Sequence, residues 1–366
     1  MSEAQKAETP AFKAEYVFYS LMIFIPLTLI FKVSHQPAWV TFFSACLGIV
    51  PLAGLMGQAT EYLAEKVGAG WGGFLNATFG NACEFIIAFS ALRAGLFDVV
   101  KASITGSIIG NILLVMGASM LFGGLRYNIQ QFNRTAATTS ATLLALGAIS
   151  LIVPAIFHHY DKHPVPLDEN YLALAISIVL FITYLLSLVF SLKTHKHLYV
   201  RELDADSSEA LTSSGWGTKT SLLVLAGTTA LVAVLSEILV HAVEETAQVL
   251  HITQVFIGVI LVAIIGNAAE HSAAVLMSLR NKMDLSLNIC LGSSAQIALF
   301  VAPMLVFCSF AMGKPMDLRF TEFEVMSVMV SVIILAFVAM DGESNWLEGV
   351  QLLAVYAIVG AAFYFA

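Results

Sequence analysis

Charge is what this sequence has least of. Only 11% of the 366 residues are Asp, Glu, Lys or Arg, too few to solvate a surface of this size. No basic patch marks a nucleic-acid partner. Cysteine is scarce as well. Cys46, Cys83, Cys290 and Cys308 all lie in apolar runs without CxxC spacing, which argues against a disulfide framework and against a zinc site. After the first 15 residues no short apolar core with a small-residue cleavage site follows, so no cleaved signal peptide is expected and the first apolar run should stay in the membrane. The H-E-x-x-H pattern of a metalloprotease is missing too. Glu270-His271 has the reverse order and no second histidine one turn on.

What is there is apolar. Hydrophobic residues make up 58% of the chain and its mean hydropathy is +0.85, outside the soluble range, so an all-α polytopic membrane protein is expected. At about 20 residues per crossing, spans are expected near 16–32, 38–60, 73–92, 97–122, 137–157, 170–192, 220–240, 254–279, 286–310, 323–340 and 346–365. These make about eleven helices, the second and seventh running on through Glu65 and Val249. With the N-terminus inside, inside segments hold 11 of the 17 basic residues, among them Lys66, Arg126, Arg134, Lys193, Arg280 and Lys282. Lys101 and Lys314 then fall in outside loops. The expected orientation is a cytoplasmic N-terminus and an outside C-terminus.

Two stretches carry the chemistry. Gly266-Asn267-Ala268-Ala269-Glu270-His271 lies inside the apolar run 255–279, and an earlier run carries Gly80-Asn81-Ala82-Cys83-Glu84. A glutamate there has no water to solvate its charge and is a functional hypothesis by default. On a continuous helix the asparagine and glutamate of each motif would share a face, and each glycine would admit a neighbouring backbone. Carboxylate, amide and backbone oxygens are what a hard divalent cation takes, and two carboxylates cancel the charge of one Ca²⁺. The metal ligands expected are therefore Glu84, Glu270, Asn81 and Asn267, with both glutamates also carrying protons. The plainer alternative is that the glutamates only bind helices together.

A shift of about 186 residues lays the first motif on the second and also lays Gly106-Ser107 on Gly292-Ser293. A slightly shorter shift pairs Glu61 with Glu244. The organisation expected is a tail at 1–15, an extra helix at 16–32, a five-helix unit at 38–192, a polar linker at 193–219 and a second five-helix unit at 220–366. An odd span number inverts the second unit, an arrangement that puts a transport site at the interface of the repeats. Supporting positions are Gly80, Gly266, Ser107, Asn111, Gly292, Ser293 and Gln296. Glu61, Glu237, Glu244 and Glu245, near span ends, are candidates for drawing cations in. His271 is read as a packed residue or a third proton carrier, and the acidic run 202–209 as a solvated linker or a weak regulatory segment.

On the residues of these two motifs, supported by Leu291-Gly292-Ser293-Ser294-Ala295-Gln296, the sequence resembles the cation/proton exchanger (CAX) family of the calcium/cation antiporter superfamily. The resemblance implies an eleven-span fold, exchange of Ca²⁺ for H⁺ by alternating access, an extra first helix, and an acidic segment between the halves. It implies no cofactor and no enzyme activity, with Ca²⁺ and H⁺ as substrates and the bilayer as surroundings. The chain looks like a prokaryotic member, hence a plasma-membrane protein. Its oligomeric state is left open. A sodium/calcium-type exchanger is the nearest alternative, although that branch typically has proline before the glutamate, where Cys83 and Ala269 stand here. A channel fits less well, because it would want a ring of equivalent residues or a carbonyl filter.

Overall fold

The computed structural model describes residues 18–67, 72, 75–76, 78–160, 166–195 and 216–365. The N-terminal tail and the acidic run 202–209 lie outside the described residues. Apolar segments have to close their backbone hydrogen bonds internally in lipid, and all the long ones are helices. In chain order they are α1 (Phe18–Val33), α2 (Ala38–Val67), α3 (Ala82–Ala94), α4 (Phe97–Gly124), α5 (Arg134–Tyr160) and α6 (Pro166–Val189). Then follow α7 (Thr218–Leu250), α8 (Gln254–Gly266), α9 (Ala268–Leu279), α10 (Met283–Ala311), α11 (Glu322–Val338) and α12 (Trp346–Phe365). Seven of them, α2, α4, α5, α6, α7, α10 and α12, are long and apolar enough to cross a membrane alone. The pair α8 and α9 adds an eighth candidate, bent by 61°. The continuations of the second and seventh spans are both present, since α2 and α7 extend to Val67 and Leu250.

Burial sorts the helices into an inner and an outer set. The apolar windows of α4 and α10 are 83% and 72% buried, against 22% for α6 and for α12. The inner helices are accordingly rich in Gly, Ser and Thr, whereas Leu186, Phe337 and Ile358 on outer helices are exposed, as a lipid-facing surface requires. Helix α2 packs along α7, where Gly48 brings its backbone against Leu235. The crossing of α4 and α8 is closer still. A Cβ on Gly106 would stand 2.2 Å from the Val259 carbonyl oxygen, so only glycine lets these backbones meet.

The two ends of the bundle are separately tied. At one, strand β1 (Gln130–Gln131) pairs antiparallel with β2 (Glu343–Ser344). There the Gln130 amide also donates to the Ser278 carbonyl at 2.8 Å and to Asn281 Oδ1 at 3.1 Å, and the Asn133 backbone N–H donates to the Asp284 carboxylate. At the other, Lys101 pairs with Asp317, and Arg319 lies 3.9 Å from Glu169. Alternate connections therefore gather at alternate ends. Lys101, expected in a loop, is instead a buried residue of α4. Its partner Asp317, on the segment before α11, supplies the charge that burial demands.

Candidate cation site

Both motifs interrupt a helix. Asn81 precedes α3 with φ −99° and ψ 24°, and Asn267 precedes α9 with φ −92° and ψ 7°. The continuous helix expected through each motif is thus corrected to a break followed by a new helix start. Glycine weakens a helix interior and asparagine favours the N-cap, so Gly-Asn in the middle of an apolar run stops one helix and begins the next. Glu84 and Glu270 consequently sit in first turns, where free N–H groups and the positive end of the helix dipole face a carboxylate.

Each glutamate is half-buried, but one oxygen of each, Oε2, is fully shielded and has no hydrogen-bond partner. The two carboxylates are near enough to act electrostatically on one another. Gly266 lies against Glu84, a Cβ there standing 3.2 Å from Glu84 Cγ. A small cavity beside Glu84 is lined by Ile87, Ser103, Ser107, Val262 and Gly266 among others.

The amides around this pair are tied crosswise. Ser293 on α10 donates to Asn81 Oδ1 at 2.9 Å, and Asn267 donates to Ser107 on α4 at 2.9 Å. Each motif's asparagine thus bonds the serine belonging to the other half. Asn111 bridges them, donating to Ser293 at 3.0 Å and towards Asn267 Oδ1 at 3.5 Å, while Asn81 donates to Gln296. A carbonyl oxygen has two lone pairs, so Asn81 and Asn267 each keep one after these bonds.

The structure brings together Glu84, Glu270, Asn81, Asn267, Gly266, Ser107, Asn111, Ser293 and Gln296. Gly80 is in the turn before α3, where a Cβ would stand 2.5 Å from the Asn76 carbonyl oxygen. Gly292, expected as a supporting position, has nothing within 4 Å of where a Cβ would stand. Glu61 is half-buried on α2, whereas Glu237, Glu244 and Glu245 are exposed on α7. Their spacing along α7 explains this, because each lies beside the stripe that packs on α2 and not on it. His271 is half-buried one position beyond Glu270.

Sequence reasoning missed two things. Helix α4 widens into a π turn at Gly110–Val115 and α10 does so at Ile297–Val301, nearly the same interval apart as the two motifs. Such turns recur at functional sites, and no residue pattern announced them. It also passed over Glu324, 2% exposed, although Thr321 and Glu324 form a capping box that is readable from their spacing.

Among the described residues no group of three or more His, Cys, Asp or Glu forms a metal cluster. Two carboxylates with neutral oxygens nearby make a hard-oxygen set for a divalent cation passing through.

Comparison with known proteins identifies a family and relatives of this chain. The profile of the family described as "Sodium/calcium exchanger protein" matches residues 37–193 and 220–365. The chain is 47% identical over 362 residues to the Ca(2+)/H(+) antiporter of Aphanothece halophytica, covering 95% of this chain and 96% of that one. It is 41% identical over 341 residues to the Ca(2+)/H(+) antiporter ChaA of Bacillus subtilis, covering 93% and 96%. Among solved structures, native YfkE superposes with a TM-score of 0.83 at 38% identity, covering 95% of this chain and all of that one. The H+/Ca2+ exchanger CAX superposes with a TM-score of 0.71 at 15% identity over 96% and 92%, a likeness of fold.

Proposed function

The chain belongs to the sodium/calcium exchanger protein family, and from that premise we propose that it is a secondary antiporter moving Ca²⁺ across the membrane in exchange for H⁺. Relatives that match almost end to end and are named as Ca²⁺/H⁺ antiporters support the proton over sodium as counter-ion. The single observation that carries the site assignment is the pair of shielded, unpartnered carboxylate oxygens, Oε2 of Glu84 and Oε2 of Glu270. Buried polar atoms are normally satisfied. Two neighbouring carboxylates that each keep a shielded oxygen without a partner need either two protons or one divalent cation.

In this reading Glu84 and Glu270 hold Ca²⁺ or protons on the same oxygens. Asn81 and Asn267 lend their remaining lone pairs, and Ser107, Asn111, Ser293 and Gln296 hold the asparagines in place. The broken helices turn first-turn N–H groups towards the carboxylates, and the ends of the preceding segments supply carbonyls, the arrangement by which transporters bind ions at mid-membrane. A site filled by Ca²⁺ or by two protons is neutral and can pass from one face to the other. An empty site with two charges pays a desolvation cost of at least several kcal/mol, so leak is suppressed and exchange follows. Two carboxylates and a divalent ion set a minimum of about two protons per Ca²⁺. The two five-helix units at 38–192 and 220–366 rock against each other as an inverted repeat, with α1 outside it, and the membrane is the prokaryotic plasma membrane with the N-terminus inside. Glu61 serves cation access.

The test is uptake of ⁴⁵Ca²⁺ into inverted vesicles with and without an imposed pH gradient. Uptake should require the gradient. Glu84→Gln and Glu270→Gln remove one of the two balancing charges while keeping the shape, and each should reduce flux at least about 100-fold, as expected for an uncompensated buried charge. Near-parental flux in either variant sinks the site assignment. Single-channel currents would favour a channel.

A further inference from the structure

We propose that Glu324, on α11 and away from the cation site, is a positioning residue for exchange: through Thr105 it fixes the rotation of α4, and with it the placing of Ser107 and Asn111. This rests on the exchange reading above.

The geometry divides α4 into two faces. Ser103 and Ser107, one turn apart, line the cavity beside Glu84. Lys101 and Thr105, also one turn apart, lie two residues away from those serines, about 200° around the helix. Both are gripped from outside the site. The Thr105 hydroxyl donates to Glu324 Oε1 at 2.9 Å, and Lys101 pairs with Asp317. Asp317 and Glu324 belong to one stretch of chain, the segment entering α11 and that helix's first turn. The helix therefore carries binding groups on one side and is held by two struts on the other.

Glu324 is itself rigidly held. It is 2% exposed, and its second oxygen accepts from the Thr321 N–H at 2.9 Å and the Thr321 hydroxyl at 2.8 Å, while Thr321 Oγ1 accepts from the Glu324 N–H at 3.2 Å. A helix cap alone would need only this second oxygen. The first is spent across the interface on Thr105, at the cost of burying a carboxylate in the bundle. Both oxygens are thus satisfied, in contrast to Glu84 and Glu270, which fits a structural strut and not a cation ligand.

The strut matters because the site tolerates little rotation. With Cα atoms about 2.3 Å from the helix axis and side-chain oxygens about 4 Å out, a turn of about 15° moves the Ser107 hydroxyl by about 1 Å. A displacement of that size breaks its bond from Asn267 and is enough to degrade a binding site. The π turn at Gly110–Val115, directly after the strutted segment, passes the same rotation on to Asn111.

The experiment compares Thr105→Val, Thr105→Ser and Glu324→Gln in the full-length protein, reconstituted in liposomes with an imposed pH gradient. Apparent Ca²⁺ affinity is read from initial rates, and melting temperature from the purified proteins. Thr105→Val leaves the capping box intact, removes only the hydroxyl and folds more readily than a change at Glu324. It should raise the KM for Ca²⁺ about tenfold at comparable maximal rate, and Glu324→Gln should do the same. Thr105→Ser, which keeps the hydroxyl, should return KM to within twofold of the parent. A Thr105→Val protein with a lower melting temperature and a parental KM would make Glu324 a cap and nothing more, overturning the proposal. Failure of Thr105→Ser to rescue would overturn it too. A parent protein that carries no Ca²⁺ against the gradient would overturn the exchange reading along with it, so the two failures are distinct.

Discussion

Gly266 lies in van der Waals contact with the side chain of Glu84, so that a Cβ at residue 266 would stand 3.2 Å from Glu84 Cγ. The glycine of one motif is the floor under the carboxylate of the other. Gly266→Ala should push Glu84 aside by a few tenths of an ångström and raise the KM for Ca²⁺ about tenfold, by the sensitivity of preorganised sites to small displacements. Gly227→Ala is the control, because Gly227 is exposed on α7 with nothing within 4 Å. Initial rates of ⁴⁵Ca²⁺ uptake decide it, and a parental KM in Gly266→Ala would mean that Glu84 reaches the cation by another path.

The crosswise braces are unequal, and this ranks two serine variants. Ser293 donates to Asn81 and accepts from Asn111, whereas the asparagine bond to Ser107 comes from Asn267 alone. Ser293→Ala strands two buried partners and Ser107→Ala one, at about 1–3 kcal/mol for each group left unsatisfied. The melting temperature and the Ca²⁺ affinity should both fall further in Ser293→Ala. The opposite order would show that the amides, and not the serines, carry the connection between the halves.

How far the sequence reveals this arrangement depends on the cost of each feature. A glutamate in an apolar run is so expensive that Glu84 and Glu270 stand out at once, and their repetition with Gly and Asn points to one shared place. The helix break is less legible. Gly-Asn reads equally as a packing motif on a straight helix and as a stop followed by a cap, and only the tertiary structure chooses. The π turns leave no trace, since the residues of Gly110–Val115 would serve an ordinary helix as well. Lys101 reads as a loop residue because it lies near the start of its apolar run, and its partner Asp317 is distant in sequence and has no local signal. Ser107 and Ser293 could be taken for packing positions until their bonds to the asparagines are seen.

Competition between Ca²⁺ and protons for the same oxygens fixes the direction of the pH dependence. Binding a cation to a carboxylate displaces its protons, so raising the pH removes the competitor and tightens binding. Where one or two protons leave per ion, the apparent dissociation constant should fall by about ten- to a hundredfold per pH unit. Calorimetry or a calcium-dependent thermal shift on purified protein between pH 6 and 9 measures this. A flat profile would leave the glutamates as ligands in a uniporter or channel and remove the basis for coupling.

The last prediction concerns the orientation of the bundle. Contacts between Gln130 and Ser344, Gln130 and Asn281, and Asn133 and Asp284 gather three connections at one end. The pairs Lys101–Asp317 and Arg319–Glu169 mark the other. The first end carries Arg126, Arg134, Arg280 and Lys282, so the positive-inside rule predicts that it is cytoplasmic. Arg126 and Lys314 are both exposed and sit at opposite ends. In a background with the four native cysteines replaced, Lys314→Cys should react with a membrane-impermeant thiol reagent added to intact bacterial cells. Arg126→Cys should react only after the membrane is opened. Labelling of Arg126→Cys from outside would invert the assignment, and labelling of both from the same side would contradict the alternation of ends on which the inverted repeat depends.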